Sequence, residues 1–208
     1  MPKSYKHILK HFKKRDPKIH AVMENLNFDE WIKPYKSTRG ENNYFLALCR
    51  SIVGQQLSGK AASSIYKRFA DSFGRKVINP KNVLGKTDQE LRDRGLSWAK
   101  VKYIKSLAEH VHSGELNLSK LDKLSDEEII TELTKVKGIG NWTVEMFLIF
   151  TLGREDVFSF GDLGLKKGIE KVYKRKDPTI AQMERITKKW MPYRSYGTIA
   201  LWHSLEQD

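Results

Sequence analysis

LTKVKGIGNWTVEMFLIFTLGREDVFSFGDLGL, residues 133–165, is the stretch from which the fold is read. It joins a Lys-Gly-Ile-Gly turn (137–140), a very apolar segment from Asn141 to Thr151, and a short loop that ends on one acid, Asp162. Two glycines spaced two apart permit backbone geometry barred to other residues and keep side chains away from the peptide N–H groups. A helix predicted to start at Asn141 aims its open N–H groups and its positive dipole end at the same place. Lys135 and Lys137 add charge, so the turn suits a phosphate held without reading a base. An ordinary helix–turn–helix connection capped by glycine is the competing reading. Trp142, Val144, Met146, Phe147, Leu148, Ile149 and Phe150 leave the following helix without a polar face, which places it in a protein interior. Gly153 ends it.

Outward from this stretch the period is mostly 3.6 and proline is scarce, which predicts an all-α chain. Residues Tyr5 to Lys14 put Ile8, Leu9 and Phe12 on one face and Lys3, Lys6, Lys10 and Lys13 on another, a pattern usual for a solvated face. Asp16 is placed as the N-cap of a helix from Pro17 to Leu26. Phe28 to Gly40, with Trp31, Pro34 and Tyr35, reads as a loop. Helices are expected over Asn43–Gln55, with Phe45, Leu48, Cys49, Ile52 and Val53 inward, and over Lys60–Phe73, with Ala62, Ile65, Tyr66 and Phe69 inward. Trp98–His112 forms another, with Val101, Ile104, Leu107, Ala108 and Val111 inward. Thr87-Asp88-Gln89-Glu90 and Ser125-Asp126-Glu127-Glu128 are capping boxes. The last helices are expected over Asp162–Tyr173, Ile180–Trp190 and Tyr196–Leu205.

With 208 residues the chain is long enough to bury a core without covalent staples. Its single cysteine, Cys49, excludes an internal disulfide, a four-cysteine zinc site and an iron–sulfur cluster. Among six histidines, His7 and His11 stand four apart and His110 and His112 two apart. Neither pair has a carboxylate partner in a recognised metal arrangement, so surface histidine is the reading preferred. No apolar run reaches the length of a membrane span, and MPKSYKHILKHFKKRD lacks an apolar signal region. The protein is therefore expected inside the cell. Against 25 Asp+Glu stand 38 Lys+Arg, a formal net charge of +13. Such an excess favours a polyanionic partner, because each cation set on a phosphate releases condensed counterions. It does not by itself separate DNA from RNA or an anionic membrane.

The 133–165 stretch resembles the helix-hairpin-helix, Gly/Pro-rich loop and aspartate signature of the DNA glycosylase superfamily that includes endonuclease III. IVGQQLSGKAASSIYKRF (52–69) resembles the helix pair that carries the family's DNA-probing loop, and GLSWAKVKYIKSLAEHV (95–111) the helix before the hairpin. MPYRSYGTIALW (191–202) resembles the C-terminal helix of the alkylpurine branch, the branch of the inducible 3-methyladenine glycosylase. The likeness covers roughly residues 40 to 205, with the motifs in the family's order.

This resemblance implies one all-α glycosylase domain over residues 1–208, with hairpin 133–151, catalytic loop 153–164, and two helical lobes. The N-terminal segment would pack on the C-terminal helices, and DNA would bind in the cleft. Asp162 matches the superfamily's catalytic aspartate. Cleaving an N-glycosidic bond builds positive charge on the sugar, which a fixed carboxylate stabilises; capping the helix that follows is compatible with that role. Trp142 stands where the lyase branches carry a Schiff-base lysine, so a monofunctional enzyme is implied. Trp142 and Trp202 match pocket tryptophans, whose electron-rich faces attract cationic alkylated purines; each is also readable as plain core. Met146 replaces a pocket tyrosine, and the loop Phe158-Ser159-Phe160-Gly161 lacks the usual proline. Gln56, or its neighbour Leu57, matches the wedge that fills the hole left by the extruded base. Ser58, Lys60, Lys137, Gly138, Gly140, Lys166, Lys167 and Arg194 are the expected DNA contacts. The carbonyls of Thr134, Val136 and Ile139 match positions that hold a monovalent cation, Na+ or K+, in relatives; no cofactor is otherwise required. The implied activity is hydrolytic excision of 3-methyladenine, with 7-methylguanine or hypoxanthine as further substrates, from double-stranded DNA. A monomer is expected, in the nucleoid of a prokaryote or the nucleus of a eukaryote. Excision of uracil or an oxidised purine, and a non-catalytic DNA-damage-binding module, are the competing readings.

Overall fold

Thr87, Ser97, Ser125, Asp162 and Thr179 each cap a helix start with a side-chain oxygen. The computed structural model describes residues 5–32 and 40–206. Among them it contains helices and no strand. No helix there is long and apolar enough to cross a membrane. The chain divides into two units, one formed by Met1–Ser37 with Gly153–Asp208 and the other by Thr38–Leu152.

In the first unit the N-terminal helices are α1 (Lys6–Arg15), α2 (Pro17–Met23) and α3 (Phe28–Ile32). The second unit holds α4 (Glu41–Gly54), α5 (Gly59–Asp71), α6 (Pro80–Leu84), α7 (Asp88–Arg92), α8 (Trp98–Ser113), α9 (Asp126–Leu133) and α10 (Asn141–Met146). The first unit is completed by α11 (Leu163–Tyr173), α12 (Ile180–Thr187) and α13 (Arg194–Glu206).

The second unit is built around α4, whose Tyr44, Phe45, Leu48, Cys49, Ile52 and Val53 are all buried. Burial pushes the Cys49 thiol far up, so it stays protonated and inert. The apolar stripe of α8, Val101, Ile104, Leu107, Ala108 and Val111, is buried in full. Of the stripe expected on α5 only Phe69 is fully buried; Ala62, Ile65 and Tyr66 remain partly exposed. Both capping boxes form. Thr87 Oγ1 accepts from Glu90 N at 3.1 Å while Glu90 Oε2 accepts from Thr87 N at 2.7 Å. Ser125 and Glu128 make the same exchange at 3.2 and 2.7 Å.

In the first unit α13 is the central helix: every residue from Ser195 to Leu201 is buried. Against it and its neighbours pack Ile8 and Phe12 of α1, Ile19 and Met23 of α2, and Leu165 and Ile169 of α11. Asp16 stands at the N-cap position of α2, but its side chain makes no capping bond. It is buried and accepts instead from the Tyr173 hydroxyl at 2.7 Å and Trp190 Nε1 at 3.0 Å. A buried carboxylate needs strong donors, and these two outcompete a local N–H. Burial, then the Asp16 charge, pushes the Tyr173 phenol well above its ordinary range, so it keeps the proton it donates.

Three expectations change. Phe28–Ile32 is a short helix rather than loop; residues 33–39 of that segment, with Pro34 and Tyr35, and also Lys3 of the lysine face, lie outside the described residues. The helix after the hairpin is α-helical only to Met146 and continues as a π-helical turn over Phe147–Leu152. A wider turn breaks the 3.6 period, so the apolar pattern cannot be projected through it. Nor is that helix interior all round: Trp142 is 47% exposed. Hydrophobicity alone does not distinguish a core residue from one that presents an apolar face outward.

Candidate active site

The second unit carries the hairpin. Between α9 and α10 the chain turns through Thr134–Gly140, pinned in the core by the buried Val136 and Ile139, with Ile139 N donating to the Val136 carbonyl at 3.1 Å. Gly138 sits at φ +89°, and a Cβ there would lie 2.1 Å from the Tyr103 ring of α8. This glycine is required by internal packing. Gly140 differs: its φ is −100°, and nothing lies within 4 Å of a Cβ built on it. The backbone at the start of α10 is therefore open to an approaching ligand. Lys137 is exposed beside it, whereas Lys135 pairs with Glu132 at 2.7 Å.

The loop between α4 and α5 is tied to this hairpin by Gln55, a residue the sequence did not single out. Its Nε2 donates to the Gly138 carbonyl at 2.8 Å and to Thr143 Oγ1 at 3.3 Å. Its partners lie more than 80 positions away, and no local pattern announces them. Lys100 Nζ donates to the Val53 carbonyl at 2.7 Å and steadies the end of α4; burial lowers the pKa of that amine. Gln56 follows in the left-handed region, φ +57°, exposed, with Leu57 37% exposed beside it. A non-glycine residue held there costs about 1 kcal/mol and is a reason to suspect function. Ser58 caps α5 by accepting from Ala61 N at 3.4 Å, and Lys60 is exposed. On α10, Trp142 is exposed and Met146, one turn on, is partly buried.

The first unit carries the acid. The loop from Gly153 to Asp162 is gripped by three consecutive residues at the start of α13. Arg194 binds Asp156 in bidentate fashion, Nε to Oδ1 at 2.8 Å and one terminal nitrogen to Oδ2 at 3.0 Å. Ser195 Oγ donates to the Arg154 carbonyl at 2.7 Å and accepts from Val157 N at 3.0 Å. Tyr196 donates to Glu155 Oε1 at 2.9 Å; burial, then this carboxylate, pushes its phenol well up. The Arg-Ser-Tyr run thus shapes the loop that leads to Asp162. Arg194, expected on a phosphate, has its guanidinium fork engaged by Asp156, the geometry that fork fits best. Lys166 likewise pairs with Asp177, which raises its pKa; Lys167 is exposed.

The gripped loop ends at Asp162, the N-cap of α11. Its Oδ1 accepts from Leu165 N at 2.8 Å and from Trp202 Nε1 at 3.3 Å. Trp202 and Trp31 lie parallel, ring planes 10° apart and centroids 6.3 Å apart. Trp31 falls in the segment read as loop, so its place beside Trp202 was not foreseen. Ser159, where the family's proline was expected, is buried and its hydroxyl has no hydrogen-bond partner. A buried unsatisfied hydroxyl is destabilising. Ser159→Ala is therefore expected to raise stability by about 1 kcal/mol, read as a higher urea midpoint with unchanged slope.

The sequence model described as "HhH-GPD superfamily base excision DNA repair protein" matches residues 49–193, more than half of the chain. The protein belongs to the HhH-GPD superfamily. Its relatives include a putative DNA-3-methyladenine glycosylase of Bacillus subtilis, 31% identical over 96% of this chain and 69% of that protein. DNA-3-methyladenine glycosylase 1 of Schizosaccharomyces pombe is 35% identical over 74% of this chain and 69% of its own length. Among solved structures, a DNA-3-methyladenine glycosidase from Bacillus halodurans superposes with a TM-score of 0.79 at 33% identity, covering 96% of this chain and 89% of that one. The S. pombe 3-methyladenine DNA glycosylase, solved in complex with abasic DNA, gives 0.80 at 29% identity, covering 96% and 97%. In this HhH-GPD protein the matched region takes in the hairpin and Asp162 and ends just before Arg194, the first residue of the grip on the loop.

Proposed function

We propose that this HhH-GPD protein is a base-excision repair glycosylase that binds double-stranded DNA and hydrolyses the N-glycosidic bond of alkylated purines, leaving the backbone intact. The observation that carries the reading is Asp162: a carboxylate immobilised by two donors, at the end of a loop gripped by Arg194, Ser195 and Tyr196. Leaving of the base makes the sugar carbon electron-poor, and a preorganised negative charge beside it lowers the barrier without solvent reorganisation. The same carboxylate orients the attacking water. Several relatives named as 3-methyladenine glycosylases support the substrate class. Trp142 supports hydrolysis rather than strand cleavage. Its indole has no amine to form a Schiff base, and a half-exposed indole suits a cation–π contact with an alkylated, positively charged purine.

The hairpin and the neighbouring loop supply DNA binding. The open backbone at Gly140 and the Lys137 side chain serve a phosphate, Gln56 and Leu57 are the wedge candidates, and Lys60 and Lys167 remain as cationic contacts. The carbonyls of Thr134, Val136 and Ile139 would hold a monovalent cation, which would stiffen the turn. Val136 accepts one bond from Ile139 N, and a carbonyl oxygen has a second lone pair for a cation.

The test is a panel of duplexes carrying 3-methyladenine, 7-methylguanine, hypoxanthine, uracil or 8-oxoguanine. Release of methylated purines, with strand breaks only after alkali, is expected. Preference for uracil or 8-oxoguanine would overturn the substrate assignment, and a borohydride-trapped DNA adduct the hydrolytic one. Tight lesion binding with no release would leave a damage-binding module.

A further inference from the structure

We propose that Trp202 serves the reaction through its indole N–H as a positioning residue for Asp162, and that Gly164 is the residue that makes this contact possible. The inference rests on the catalytic reading of Asp162 given above. Two donors converge on a single oxygen, Oδ1: Leu165 N at 2.8 Å and Trp202 Nε1 at 3.3 Å. The first comes with helix capping and would hold any aspartate there. The second reaches across 40 positions and is directional. Together they constrain the torsion of the carboxylate.

Gly164 lies at the meeting point. A Cβ built on it would stand 3.0 Å from Asp162 Oδ1, 3.2 Å from Trp202 Nε1 and 3.3 Å from Trp202 Cδ1. Any side chain at 164 therefore crowds donor and acceptor at once. The φ of Gly164 gives no separate reason for glycine, since it is absent from the left-handed glycines of this chain. Close approach is the reason. Trp31, parallel to Trp202 to within 10°, sets the indole plane and with it the line along which the N–H points. Preorganisation of this kind matters because a charge that must reorient as the transition state forms loses most of its stabilising effect. The chemistry assigns Trp202 a different task from Trp142: an edge-on donor to the acid rather than a face offered to the base.

The test compares wild type, Trp202→Phe, Gly164→Ala, the double variant and Asp162→Asn. Each is measured for single-turnover release of 7-methylguanine from a duplex, for affinity to a duplex carrying an uncleavable 2′-fluorinated 7-methylguanine nucleotide, and for thermal midpoint. Trp202→Phe keeps an aromatic ring beside Trp31 but has no N–H. It is expected to slow release roughly 10- to 100-fold, the value of a hydrogen bond to a charged group, with affinity within about twofold of wild type. Gly164→Ala is expected to slow release comparably alone and to add little in the Trp202→Phe background, because both remove one contact. Wild-type release by Trp202→Phe overturns the proposal, as does a loss of release matched by an equal loss of affinity, the mark of a base-stacking wall. If Asp162→Asn releases base normally, the catalytic reading falls and this inference with it. An inactive Asp162→Asn beside a fully active Trp202→Phe overturns this inference alone.

Discussion

Asp162→Asn is expected to lower base release from methylated duplex DNA by at least about 100-fold while leaving the fold and DNA affinity near wild type. The argument separates two tasks that one side chain performs. As the N-cap of α11, Asp162 accepts from Leu165 N at 2.8 Å. Asparagine caps as well as aspartate, and its carbonyl oxygen accepts the same bond, so α11 keeps its start. What asparagine lacks is the charge opposed to the developing sugar cation. Asp162→Ala makes the complementary comparison. It removes the cap as well, and is expected to cost about 1 kcal/mol of stability in addition to activity. Thermal midpoints of the two variants read the first task, and single-turnover release reads the second. A thermal midpoint for Asp162→Asn as low as that of Asp162→Ala would show the cap to need the charge. Undiminished release by Asp162→Asn would remove the acid from the mechanism.

The second large effect concerns the hairpin, where the two glycines are expected to behave oppositely. Gly138→Ala should destabilise the protein by roughly 3 kcal/mol, combining the cost of a left-handed Cβ with overpacking. The chain there has φ +89°, and the new methyl would sit 2.1 Å from the Tyr103 ring. Gly140→Ala meets no atom within 4 Å and has φ −100°, so its stability should stay within about 0.5 kcal/mol of wild type. Its effect should appear in DNA affinity, because a methyl on the open backbone keeps a phosphate from the N–H groups behind it. Urea unfolding of both variants, with binding to an undamaged duplex, checks the pair. Equal destabilisation by the two substitutions would contradict the packing account. Unchanged affinity in Gly140→Ala would remove this turn from the DNA-binding face.

Several parts of the molecule are legible because their causes are local. The stripes of α4 and α8 follow from side chains three and four residues apart, and each buries the residues its period names. Thr87 with Glu90, and Ser125 with Glu128, meet within one turn and form both capping boxes. Such contacts depend on helix geometry alone and hold wherever the helix is placed. The hairpin, the acid and the absence of a lysine at position 142 are visible for the same reason: each is a matter of residue type at a short spacing.

Partners reached across the chain are another matter. Arg194 has the chemistry to bind a phosphate or a carboxylate equally well, and only the fold brings Asp156 within 2.8 Å of it. Asp16 looks like a helix cap until Tyr173 and Trp190 arrive from the far end of the chain. Gln55 looks like the last residue of a helix until Gly138 offers its carbonyl. Residue type settles which bonds a side chain is able to make. Tertiary structure settles which it does make, since a hydrogen bond beyond about 3.5 Å contributes almost nothing and reach is set by the path of the whole chain. By itself, then, the sequence determined an all-α hairpin protein with a single acid poised at a helix start. The tertiary structure decided that an Arg-Ser-Tyr run grips the loop leading to that acid and that a tryptophan N–H reaches it, because these partners come from about 40 positions away along the chain.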